Sequence, residues 1–164
     1  QDTSSAASDV YKRQVLETAT GPMDTSTLDT ELMMIYFGYT YCPDVCPTEL
    51  ARMAQIYDGL DDDKRRVSGL FVTVDPERDT IGAVTEYAEV FDPSFKGLSG
   101  DRMQIAQVLR QYQVYAQQVG DDPTTYTVDH SSRIYLMDRD AKLMALFSMD
   151  TEISTIIEKV KTFL

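Results

Sequence analysis

Leu32-Met33-Met34-Ile35-Tyr36-Phe37-Gly38-Tyr39-Thr40-Tyr41-Cys42-Pro43-Asp44-Val45-Cys46-Pro47-Thr48-Glu49-Leu50 is the stretch that decides the fold. Its first six residues are apolar without a break, the pattern of a short strand covered on both faces. The segment 38–44 interrupts that run. Leu50, Met53, Ile56, Tyr57 and Leu60 then recur at helical spacing, so a helix is expected to begin near Cys46-Pro47. Pro47 suits a first helical turn, and Glu49 suits the positive end of the helix dipole. A buried strand that runs through a turn into a helix is a building unit of α/β sheets.

The rest of the chain repeats the alternation. Residues 70–74 read as a second buried strand, ended by Asp75-Pro76-Glu77-Arg78-Asp79. Residues 80–91 have Ile81, Val84, Tyr87 and Ala88 on one helical side. Asp101 is expected to cap a third helix whose inner stripe is Ile105, Val108, Leu109 and Tyr112. After a turn at residues 120–123 come two strands, 132–137 and 143–147, around the turn 138–141. Residues 151–164 close the chain as a helix with Ile153, Ile156, Ile157, Val160 and Phe163 inward. Upstream, residues 15–28 are rich in Thr, Gly and Pro and read as a frayed strand or hairpin. The expected class is α/β, with a mixed central sheet flanked by helices.

A length of 164 residues implies one domain, large enough to bury a core unaided. Asp and Glu number 27 against 15 Lys and Arg, a formal charge of −12 that argues against nucleic acid and anionic membrane as partners. The densest basic cluster, Lys64-Arg65-Arg66, follows Asp61-Asp62-Asp63 and is offset by it. No run of apolar residues is long enough to span a bilayer. Residues 4–14, Ser-Ser-Ala-Ala-Ser-Asp-Val-Tyr-Lys-Arg-Gln, match codon for codon a transposase adapter used in sequencing libraries. Residues 1–14 are therefore expected to be a disordered artefact, and residues 15–164 a single domain truncated at its N-terminus, where a leader or anchor would lie.

The chain has two cysteines and one histidine. Cys42 and Cys46 form a C-x-x-x-C at a strand-to-helix turn, where the dipole is expected to favour thiolate. The prolines after each cysteine argue against burial inside a regular element. A functional pair competes with two blander readings, small buried hydrophobes and a structural disulfide. His130, in Val128-Asp129-His130-Ser131, falls just before a strand, where it could face the same sheet edge as the cysteines. A lone histidine is otherwise a surface or core residue. Two thiolates and an imidazole suit Cu(I), with Zn as competitor. Asp129 or Asp44 could orient the imidazole. Asp75, Glu77 and Asp79 read as a solvated turn around Arg78 in preference to a hard-cation site, Asp61-Asp62-Asp63 as an exposed helix end, and the eight methionines as core packing.

Three segments resemble the Sco/SenC family in order and spacing: residues 36–48, 74–80 and 126–131. The resemblance covers about residues 35–164. It implies a thioredoxin-like fold with an inserted hairpin, and copper, as Cu(I) or Cu(II), bound by Cys42, Cys46 and His130. It further implies a metallochaperone for the dinuclear copper centre of cytochrome c oxidase, with that centre's subunit as partner and a thioredoxin-like reductant or another copper chaperone as further partners. The alternative is a thiol–disulfide oxidoreductase using Cys42 and Cys46 as its redox-active pair, so enzyme and carrier both remain open. Family members are anchored in the inner membrane and face the bacterial periplasm, or the intermembrane space in mitochondria. Departures from the family pattern are Ile81 in place of a proline, Tyr41, and a 138–141 turn without glycine.

Overall fold

The computed structural model describes residues 15–24, 28–43 and 45–164. The expectation for residues 1–14 lies outside them. A hairpin of β1 (Val15–Thr18) and β2 (Gly21–Asp24) precedes β3 (Leu32–Gly38), α1 (Val45–Gly59), a 3-10 turn (Asp61–Arg66) and β4 (Val67–Thr73). Then follow α2 (Ile81–Phe91), β5 (Lys96–Leu98), α3 (Arg102–Gln111), β6 (Ala116–Val119), β7 (Thr127–His130), β8 (Arg133–Asp138), β9 (Leu143–Ser148) and α4 (Ile153–Thr162). The β1–β2 hairpin is formed and joins the body through Glu17 and Ser99.

The main sheet has the order β5-β4-β3-β8-β9. β3 runs parallel to β4 and antiparallel to β8, so the sheet is mixed as expected. All seven residues of β3 are buried, which explains its unbroken apolar run. The chain steps outward from β3 to β4 to β5, and right-handed crossovers place α1 and α2 on one face. It then returns through α3 on the opposite face. Side chains agree with this. Tyr36 stacks on Phe71 with centroids 6.5 Å apart, and Phe71 meets Tyr87 of α2. Phe37, one residue on, points to the other face and packs on Tyr112 after α3 and on Tyr135. The C-terminal end of β3 therefore lies where the direction of winding reverses, the crevice in which open α/β sheets bind ligands.

Backbone geometry explains two turns. Ala141 takes the missing glycine's left-handed conformation, φ 60°, while Asp138 Oδ1 accepts the Asp140 and Lys142 N–H groups. The end of α3 is a Schellman turn: the Val114 N–H reaches the Leu109 carbonyl and the Gln113 N–H that of Arg110. Exposed Gln113 sits there at φ 54°, a conformation that favours glycine. Gln113→Gly is expected to raise stability by about 1 kcal/mol, read as a higher thermal midpoint. An unchanged midpoint would mean that glutamine is unstrained in this turn.

Candidate metal centre

The turn after β3 delivers Cys42, and α1 begins at Val45, so Cys46 is already in the first helical turn. The Cys46 N–H donates to Cys42 Sγ at 3.4 Å, which aims the Cys42 sulfur at the helix N-terminus. Cys46 itself is fully buried and Cys42 is half-buried; both are free thiols. The expectation that flanking prolines keep both cysteines out of regular structure is thus wrong for Cys46. Pro47 occupies a first-turn position and needs no N–H there. The dipole argument also fails for Cys46, because burial pushes its thiol up from the ordinary value.

His130 lies just ahead of β8, as expected, and is also the last residue of β7. Its Nε2 lies 3.3 Å from Cys46 Sγ. Its Nδ1 lies 3.0 Å from the Ser131 carbonyl, which can only accept, so Nδ1 carries the proton and Nε2 presents its lone pair to the sulfur. Burial lowers the imidazole pKa below its usual value, which favours that neutral form near pH 7. The Tyr36 and Tyr39 rings meet the imidazole edge-on at 6.2 and 5.7 Å. The Tyr36 hydroxyl is 3.8 Å from Cys46 Sγ and 3.2 Å from Ser132 Oγ.

The donor atoms of Cys42, Cys46 and His130 all lie within 4.8 Å of one another. Two sulfurs and one imidazole nitrogen form a soft, three-donor set that fits Cu(I) better than a hard cation. No fourth donor from His, Cys, Asp or Glu joins them among the described residues. Cys42 and His130 open on a cleft of about 420 Å³ whose walls include Val45, Tyr115, Asp129 and Met149, with Cys46 buried behind them. Gly38 closes the floor: a Cβ there would fall 2.7 Å from Cys46 Sγ.

Several neighbours depart from expectation. Asp129 is exposed on the cleft wall, and the Ser131 carbonyl orients the imidazole instead; Asp44 lies outside the described residues. Glu49 lies beyond the first turn of α1, where it is buried and paired with Arg52 at 2.8 Å, so it is no partner of the helix dipole. Met33, Met34, Met53 and Met137 are core residues, but Met103 and Met149 are exposed, and Met149 borders the cleft. Asp75 and Asp79 are buried rather than solvated, whereas Glu77 pairs with Arg102 at the surface. Their residue types do not distinguish this from a solvated turn; the one signal is their place after the nearly fully buried β4, at the ligand-binding end of the sheet. Asp61-Asp62-Asp63 is an exposed 3-10 turn.

Residues 3–164 match the family model described as SCO1/SenC. The chain belongs to the SCO1/SenC family. A SCO2-like protein of Rickettsia felis is 39% identical over 140 residues, covering 84% of this chain and 68% of the relative. The human protein SCO1 homolog, mitochondrial, is 38% identical over 133 residues, covering 79% and 44%. The chain thus spans about two thirds of the rickettsial relative and less than half of the human one. Among solved structures, that of Bradyrhizobium japonicum ScoI with copper bound has a TM-score of 0.83 and 38% identity over 92% of this chain and 97% of that one. BsSco, described with a disulfide switch and as a member of the Sco family of cytochrome c oxidase assembly proteins, is similar in fold at TM-score 0.69 and 22% identity, over 91% and 90% of the two chains. The fold of this SCO1/SenC protein is thioredoxin-like, with β6–β7 as a hairpin outside the main sheet. No described helix is long and apolar enough to cross a membrane.

Proposed function

We propose that this protein binds one copper ion through Cys42, Cys46 and His130 and passes it on during assembly of the dinuclear copper centre of cytochrome c oxidase. The observation that carries the reading is the convergence of two free thiols and the bare Nε2 of the chain's one histidine within 4.8 Å. The copper-bound relative at 38% identity supports the choice of metal. Copper is cargo here. Binding displaces the two thiol protons and leaves the neutral imidazole to donate through Nε2. Cys46 sits deep, while Cys42 and His130, both half-buried, face the cleft. A thiolate of the copper-centre subunit would therefore meet the ion from the cleft, between Cys42 and His130, and displace the ligands stepwise. Residues 15–164 form the functional domain in this reading. Its place is an oxidising compartment, the periplasm or the mitochondrial intermembrane space, where an anchored protein can meet the oxidase.

The difference in burial between the cysteines also favours a second reading, reduction of a partner's disulfide. Accessible Cys42 attacks one partner sulfur and releases the other as a thiolate. Cys46 then attacks Cys42, releasing the second partner thiol and leaving a Cys42–Cys46 disulfide. An anaerobic Cu(I) titration against a competing chelator separates the readings. The reduced chain is expected to take up one copper with loss of both free thiols, and the Cys42–Cys46 disulfide form none. His130→Ala should bind roughly tenfold or more weakly. Equal binding by oxidised and reduced protein would sink the copper reading. A folded, reduced sample that retains no copper yet reduces disulfides would establish the second.

A further inference from the structure

His130 stands on a weak platform. β7 has four residues and pairs only with β6, in a two-stranded hairpin that is not hydrogen-bonded to the main sheet. Such hairpins are marginal alone. The cysteines, by contrast, hang from the central strand and its helix. Something must hold the hairpin at a fixed distance from the thiol pair, and the contacts that do so converge on one side chain.

That side chain is Arg78, which is nearly buried in the turn after β4. Its Nε donates to Asp75 Oδ2 at 2.7 Å, and Asp75 Oδ1 accepts from the Tyr126 hydroxyl at 2.5 Å. The guanidinium carbon lies 3.5 Å from the centroid of the Tyr126 ring, a desolvated cation–π contact. Tyr126 immediately precedes β7. The same guanidinium lies 4.7 Å from the Tyr41 ring, next to Cys42, and 5.8 Å from that of Tyr39. The Tyr39 hydroxyl in turn accepts the Val128 N–H at 3.1 Å, and its ring packs edge-on against His130. Arg78 Nη2 is buried without a hydrogen-bond acceptor, as suits a guanidinium lying against aromatic faces. One cation thus touches three rings, two from the loop that carries Cys42 and one at the entrance of the strand that carries His130.

We propose that Arg78 is a positioning residue that holds the His130 imidazole to the Cys42–Cys46 pair by clamping Tyr126 and Tyr39 together. The proposal rests on the three-donor reading of the site. The cysteine loop has its own anchor, Asp79, which accepts the Thr40 N–H and hydroxyl, so the effect on copper is expected to act through His130, which a purely structural contact would not produce.

A double-mutant cycle tests this. Cu(I) affinity is measured by chelator competition in the wild type, Arg78→Met, His130→Ala and the double variant. Arg78→Met is expected to weaken binding roughly tenfold or more, in the range seen when a ligand loses its outer support. In the His130→Ala background the same change should have almost no further effect. Arg78→Lys keeps the charge near Asp75 but loses the planar stacking, and should fall between. Tyr126→Phe, which removes only the hydroxyl bond to Asp75, gives a milder effect if Arg78→Met unfolds.

A metal-free readout accompanies the cycle. The chain has one histidine, so a long-range nitrogen–proton NMR spectrum of the apo protein reports its tautomer without ambiguity. The wild type should show the Nδ1-protonated form and Arg78→Met a solvent-like mixture. Equal weakening in both backgrounds, or an unchanged affinity and tautomer, would overturn the proposal. The latter result would mean that Ser131 and Ser132, which join His130 to β8, suffice to hold it. If even the wild type fails to bind copper, the three-donor reading falls, and the tautomer still decides whether Arg78 fixes the imidazole.

Discussion

Cys46→Ser is expected to weaken Cu(I) binding by more than about a hundredfold, beyond the loss typical of an outer-shell partner. The folded state should survive, because a serine hydroxyl in this position is not left unpaired. Cys46 Sγ lies 3.3 Å from His130 Nε2 and 3.8 Å from the Tyr36 hydroxyl, and the shorter oxygen can use either. Copper loses more. The hydroxyl is a hard donor that stays protonated near neutral pH, and the remaining pair of Cys42 and His130 supplies one sulfur. Cys42→Ser should lose copper to a similar degree, since it too leaves one sulfur. The two should nevertheless differ with alkylating reagents in the apo form. Half-buried Cys42 in Cys46→Ser reacts readily, whereas buried Cys46 in Cys42→Ser, its thiol pushed up by burial, reacts slowly. Chelator competition and a timed alkylation assay check both parts. Retention of copper by Cys46→Ser at wild-type affinity would remove the deep cysteine from the site.

The difference between the cysteines shows where sequence reasoning reached and where it stopped. Strands β3, β4 and β8 were legible as short apolar runs and the four helices as apolar stripes at helical spacing, because each buries enough side chains to leave a pattern. β9 was legible from its apolar composition beside the 138–141 turn, although Phe147 alone in it is buried. The Asp101 cap was legible because capping is local: its side chain accepts the Gln104 N–H while Gln104 reaches back. β5 left no pattern. It has three residues, Lys96-Gly97-Leu98, and its partner is distant in sequence. Only the structure shows why its middle residue is glycine, since a Cβ on Gly97 would lie 2.5 Å from the Val84 backbone. β6, Ala116-Gln117-Gln118-Val119, is polar because it pairs outside the main sheet and buries little. The three donors were legible as residue types and spacings, and the resemblance supplied their grouping. The support beneath them was not. Asp75, Arg78 and Asp79 read as a charged surface turn, because a polar residue buried by distant partners looks the same in sequence as one bathed in water.

Asp79→Ala is expected to cost roughly 3–5 kcal/mol of stability, because it strips a buried carboxylate from three donors at once. Asp79 is 1% exposed. Its Oδ2 accepts the Thr40 N–H at 2.9 Å and the Thr73 hydroxyl at 2.7 Å, and its Oδ1 accepts the Thr40 hydroxyl at 2.6 Å. Alanine leaves all three donors facing a small void that water cannot fill without reaching a buried turn. A loss of that size is a large share of the ~5–15 kcal/mol that holds a small domain together. Asp79→Asn should cost less, since its carbonyl oxygen can still accept, but its amide would face a donor. Thr40→Ser keeps both Thr40 bonds and should be nearly silent. Thr40 stands two residues before Cys42, so the anchor that stabilises the fold also fixes the cysteine loop. Urea unfolding of the reduced, metal-free protein checks the order Ala, then Asn, then Ser. A loss below about 1 kcal/mol for Asp79→Ala would show that the Thr40 and Thr73 donors find other acceptors. The cysteine loop would then be held by the Tyr39, Tyr41 and Arg78 contacts alone.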